Sequence, residues 1–131
     1  MSRRTRWLLA ALVWMLFIFW LSSRPTLPHV DDDLLDALLK KSGHFLVYAL
    51  LWLLWSRALA RPWLAFAIVL AYALSDEFHQ LFVPGRHAWW LDVVIDAAGA
   101  LTALGLSRSR RGQELLRGLG VGQTFDHDVA E

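Results

Sequence analysis

Carboxylates, imidazoles and a guanidinium set about one helical turn apart can move protons or hold an anion. This chain carries such residues in three separate blocks. Lys41, His44 and Tyr48 form the first, Ser75, Asp76, Glu77, His79, Gln80 and Arg86 the second, and Asp92 and Asp96 the third. His44 and Tyr48 are four residues apart, and Asp76 is three and four residues from His79 and Gln80, so each set shares a helix face. Asp92, Asp96, Gly99 and Ala103 fall on one stripe, and a stripe that ends in small residues suits the inside of a bundle. The catalytic candidates are Asp76, Glu77, His79 and His44: a carboxylate serves as general base beside an imidazole. Arg86 and Lys41 suit capture of an anionic group such as a phosphate, Arg through its bidentate fork. The expected ligand-binding set is Lys41, His44, Tyr48, Ser75, Asp76, Glu77, Gln80, Arg86, Asp92 and Asp96. His44 and His79 with carboxylates would suit Zn²⁺ or Mn²⁺. No compact H-E-x-x-H spacing exists, however, and neither a metal nor another cofactor is expected.

These blocks must be positioned by apolar helices. Of the 131 residues 56% are hydrophobic, and eight are Trp. Apolar runs cover Trp7–Leu21, His44 to Leu54 or Leu59, Trp63–Leu74 with a polar extension to Phe82, and Trp89–Leu106. A span needs about 20 residues, and these runs reach that length only with their polar ends included. Trp7, Trp20, Trp63, Trp89 and Trp90 sit near run ends, the pattern of an interfacial aromatic belt. An ionisable group at membrane depth costs about 2.5–3.5 kcal/mol, which makes each one a functional-site hypothesis. The expected fold is therefore all-α: a small polytopic membrane protein with four transmembrane helices. A short amphipathic helix lies on the membrane surface between the first and second. It starts after Asp31-Asp32-Asp33 and carries Leu34, Leu35, Leu38 and Leu39 at helical spacing, with Lys40 and Lys41 at its end. Residues 1–106 form the membrane domain and 107–131 a polar, loosely ordered tail. The first run reads as an uncleaved helix rather than a signal peptide, since no A-x-A-like site follows it.

With four spans, nine of the thirteen basic residues fall on one side: Arg3, Arg4, Arg6, Arg57, Arg61, Arg108, Arg110, Arg111 and Arg117. The positive-inside bias then puts both termini in the cytoplasm of a cell with an inner membrane. The polar blocks meet at the outward side. His29, His87 and His127 read as surface residues. Without Cys, disulfides and thiolate metal sites are excluded.

The chain resembles the VanZ-like membrane protein family in Lys41-Ser42-Gly43-His44-Phe45-Leu46-Val47-Tyr48, in Ser75-Asp76-Glu77-Phe78-His79-Gln80-Leu81-Phe82-Val83-Pro84-Gly85-Arg86, and in Asp92-Val93-Val94-Ile95-Asp96-Ala97-Ala98-Gly99. Ser22-Ser23-x-Pro25 also looks familial. The family usually has Asn where this chain has Asp96. The resemblance implies a small integral membrane protein, linked in the family's namesake to teicoplanin resistance; it implies no established reaction.

Two functions follow as expectations. In the first, the outward cluster binds an envelope lipid headgroup, a lipid-linked precursor or an amphiphilic antibiotic. In the second, the protein is a membrane-embedded phosphatase or transferase acting on a phosphate-bearing, lipid-linked substrate. The absence of G-x-S-x-G, of Cys and of any known lipid-phosphatase signature weighs against the second. A channel is weaker still, because four short helices leave little room for a pore. Membrane lipids are the expected partners and nucleic acid is not; a homo-oligomer is left open.

Overall fold

In the computed structural model, which describes residues 1–25 and 30–120, every regular element is helical. His29 and His127, like Pro28, lie outside the described residues. The helices are α1 (Arg3–Ser22), α2 (Asp33–Leu59), α3 (Pro62–Gln80), α4 (Trp90–Arg108) and α5 (Arg110–Gly118). Four of the five starts have a local cause. Ser2 accepts from Thr5 N at 3.1 Å and caps α1, and Asp32 accepts from Leu35 N at 2.9 Å and caps α2. Pro62 opens α3, where its missing N–H costs nothing. Ser109 accepts from Gly112 N at 2.9 Å and caps α5.

The expected surface helix is not a separate element. It is the first part of α2, a single helix of 27 residues. The reason is that hydropathy changes at Lys41 but helical periodicity does not. No proline interrupts residues 33–59, and a lone Gly43 costs only about 1 kcal/mol. At 1.5 Å per residue such a helix exceeds the ~30 Å hydrocarbon core, so its polar start extends past it. The Lys40–Asp36 pair at 2.6 Å ties two turns of that start together.

Among the described residues three helices, not four, are long and apolar enough to cross a membrane: α1, α2 and α4. α3 has the length, but its final turns carry Asp76, Glu77, His79 and Gln80, which pull down its mean hydropathy. The expected loose tail is also corrected in part. α4 runs to Arg108 and α5 follows immediately, bringing Leu115 and Leu116 into an apolar groove with Leu50 and Leu53 of α2.

The four long helices run up, down, up, down. At one end Trp52 Nε1 of α2 donates to Pro62 O at 3.1 Å. At the other, α1 and α3 finish where α4 starts, and Ser23 Oγ lies 3.1 Å from His79 Nε2. α2 is central and packs on α1, α3 and α4. The core consists of Ile18, Tyr48, Leu51, Trp52, Ala65, Val69, Ala73, Ala100 and Leu104. α2 and α4 approach closely at Gly99, where an added Cβ would stand 2.2 Å from Phe45 O. Large apolar side chains such as Leu16, Trp20, Leu46 and Phe78 remain on the outside.

Candidate functional site

The end of the bundle where α1 and α3 finish holds nearly all the buried charge. Its residues fall into two groups. The first group ties α2 to α4. Lys41 Nζ pairs with Oδ1 of Asp92 and lies over the Trp89 ring at 5.1 Å. One turn deeper, His44 donates from Nδ1 to Oδ1 of Asp96 at 3.0 Å. Asp96 is fully buried and Asp92 nearly so. The stripe read from the sequence thus faces α2, and Gly99 continues it where the two backbones meet. A single buried helix face provides Lys41 and His44 with carboxylates at matching depth.

The second group links α2, α3 and the start of α4. Tyr48 donates to Oδ2 of Asp76 at 3.4 Å, and the Gln80 amide donates to the same oxygen at 3.2 Å and to Glu77 Oε1 at 3.3 Å. The other Glu77 oxygen accepts Trp89 N at 2.9 Å. Trp89 is the N-cap residue of α4 and has no side-chain cap of its own. Glu77 supplies one from α3, where the positive end of the helix dipole favours a carboxylate.

A cavity of about 190 Å³ opens beside this network, between α1, α2, α3 and the α3–α4 turn. Ile18, Leu21 and Val47 give it an apolar wall; Ser22, His44, Tyr48, Asp76, Gln80 and Arg86 give it polar ones, and Lys40, already paired with Asp36, stands at its edge. Arg86 reaches it because the α3–α4 turn folds onto the end of α1. Gly85 takes φ +80, a left-handed conformation suited to glycine, and a Cβ there would come to 3.1 Å from Pro25 O. Three lining residues carry buried polar atoms with no partner: Ser22 Oγ, Asp76 Oδ1 and Arg86 Nε. Buried polar groups are nearly always hydrogen-bonded, so three orphans around one cavity require an explanation.

Of the sequence-derived residues, the structure brings His44, Tyr48, Asp76, Gln80 and Arg86 to the cavity. Lys41, Glu77, Asp92 and Asp96 lie in the hydrogen-bonded networks behind it. Two candidates point elsewhere. Ser75 is exposed and its hydroxyl donates back to Tyr72 O at 2.8 Å. His79 turns to α1, 3.1 Å from Ser23 Oγ and with its ring 4.7 Å from that of Phe19. Ser22 and Lys40 are polar cavity residues that the sequence-derived set did not include. The Ser22-Ser23-x-Pro25 block was the only sign of Ser22. Among the described residues no group of three His, Asp or Glu side chains could hold a metal ion.

The VanZ/LLP1 family matches residues 7–111, which include all four long helices almost entirely and every residue of the cavity. The chain belongs to the VanZ/LLP1 family. Family membership and three span-capable helices are compatible with a membrane protein of the VanZ type. No curated protein and no solved structure matches the chain.

Proposed function

We propose that this VanZ/LLP1-family protein is a multi-pass membrane protein whose cavity binds the polar headgroup of an amphiphile at the outward face of the membrane. The supporting observation is the set of orphaned polar atoms on Ser22, Asp76 and Arg86 around one half-apolar cavity. A headgroup satisfies the polar atoms, and Ile18, Leu21 and Val47 receive the start of its apolar part. Envelope lipids, lipid-linked precursors and amphiphilic antibiotics share this chemistry. α3 completes the bundle as a fourth crossing, because its polar turns are sheltered by α2 and α4 rather than set against lipid. Both termini then face the cytoplasm with the larger share of basic residues. Reporter fusions after residues 60 and 120 should read cytoplasmic and one after residue 86 should read outward; an outward residue 120 would exclude four crossings. Purification in mild detergent followed by lipid mass spectrometry should recover an amphiphile that Arg86→Ala loses.

A second reading, a membrane-embedded phosphatase or transferase, has one observation in its favour. Asp96 occupies Nδ1 of His44 and holds the ring, Nε2 has no partner among the described residues, and His44 lines the cavity. That is how a carboxylate orients a general base. Turnover of a phosphate-bearing lipid-linked substrate that His44→Gln abolishes, with headgroup binding intact, would select this reading.

A further inference from the structure

The orphaned atoms also define the ligand's charge pattern, on the reading that the cavity binds a headgroup. Asp76 is 4% exposed, and only neutral donors reach it: the Tyr48 phenol and the Gln80 amide, both on Oδ2. Oδ1 has no partner. Its neighbours differ in having a basic side chain or a backbone N–H on the carboxylate, although Asp96 Oδ2 is also without a partner among the described residues. Asp92 has Lys41, Asp96 has His44, and Glu77 has Trp89 N and Gln80. Across the cavity lining, the Arg86 side chain has no acceptor among the described residues, and its Nε is buried. The fold therefore holds a carboxylate without a cation and a guanidinium without an anion beside one cavity, and does not pair them with each other.

A buried carboxylate left unpaired is costly, and the half-buried Arg86 presents an unanswered donor beside it, so the cavity suits a group of opposite sign at each. A simple anion would answer Arg86 and leave Asp76 bare; a simple cation would do the reverse. We infer that the cavity takes a zwitterion, with a protonated primary amine donating to Oδ1 of Asp76 and a phosphate accepting from Arg86. An amine suits Asp76 better than a metal ion, since no group of three metal-holding side chains occurs among the described residues. The Ser22 hydroxyl is left to bond a further phosphate oxygen. With the apolar wall of Ile18, Leu21 and Val47 beside these groups, the ligand is an aminophospholipid of the phosphoethanolamine type.

Titration of the detergent-solubilised full chain tests this with dihexanoyl lipids carrying phosphoethanolamine, phosphocholine or phosphoglycerol headgroups, and with free phosphoethanolamine. The native protein should bind the phosphoethanolamine lipid at least tenfold more tightly than the other two lipids. Phosphocholine keeps the positive charge but has no N–H to donate, and phosphoglycerol has no cation. Asp76→Asn should erase the ranking, and Arg86→Gln should weaken all three lipids. Weaker binding of free phosphoethanolamine assigns the zwitterion to a lipid; equal binding supports the same chemistry from a soluble source. A native protein that binds phosphoglycerol or phosphocholine as well as phosphoethanolamine overturns the zwitterion, and this ranking decides even if Asp76→Asn fails to fold. Where that happens but Arg86→Gln still loses all three lipids, the headgroup cavity stands without its zwitterion. If folded Arg86→Gln binds every probe as the native chain does, the headgroup cavity itself is wrong.

Discussion

The two sides of α2 handle buried charge in opposite ways. On the α4 side, Lys41 meets Asp92 and His44 meets Asp96, leaving only Asp96 Oδ2 without a partner among the described residues of that network, and the backbones close in at Gly99. On the α1 side, Ser22, Asp76 and Arg86 border a cavity and each keeps a buried polar atom without a partner. Both sides are polar and lie at the same end of the bundle. A network whose ionisable groups are paired across two helices holds them in register, whereas one whose groups are unpaired around a cavity leaves bonding capacity for something else. Substitutions on the two sides should therefore separate stability from binding.

The largest effect should come from the α4 side. Gly99→Leu places a side chain where even a Cβ would stand 2.2 Å from Phe45 O. It should cost about 3 kcal/mol, read as an early unfolding transition in detergent. An unchanged transition would mean that α2 and α4 do not meet there. Next, Asp96→Leu removes the acceptor of His44 Nδ1 and should cost about 1–3 kcal/mol. Asp96→Asn keeps an amide oxygen in the same place, so it should cost less than about 1 kcal/mol. An Asn variant as unstable as the Leu variant would show that the carboxylate charge, not the hydrogen bond, holds the helices.

The smallest effect on stability should come from the cavity side. Ser22→Ala removes an unpartnered hydroxyl and should leave unfolding within about 0.5 kcal/mol of the native chain, while weakening amphiphile binding. A large stability loss would place Ser22 in a structural network and blur the contrast between the two sides.

The α4 side was the more legible in the sequence. A four-residue, then three-residue spacing of Asp92, Asp96 and Gly99 specifies one helix face, and Lys41 and His44 are a turn apart on their own helix. Helix existence was legible too, since it rests on local periodicity. Two features that depend on environment were not. The surface-helix pattern at Leu34–Leu39 marks where α2 leaves the apolar zone, but nothing in it ends the helix. The polar turns of α3 leave that helix short of a span by composition, because its neighbours, not its own residues, shelter Asp76 and Glu77. The cavity was half-legible. Asp76, Gln80 and Arg86 come from one block, but Ser22 joins them only because Gly85 folds the turn against Pro25. Ser75 and His79 show the converse. They belong to the same block, yet the 100° rotation per residue turns them out to the surface and onto α1.

The central claim is that the α1-side cavity is a ligand site and the α4-side network is structural. The most direct test purifies the native chain and Arg86→Ala side by side, quantifies bound amphiphile by mass spectrometry and measures unfolding on the same samples. The account predicts an amphiphile present in the native chain and lost from Arg86→Ala, with equal unfolding midpoints once both samples are stripped of amphiphile. An unchanged amphiphile load with a lowered midpoint would contradict it, and would make Arg86 part of the framework rather than of the site.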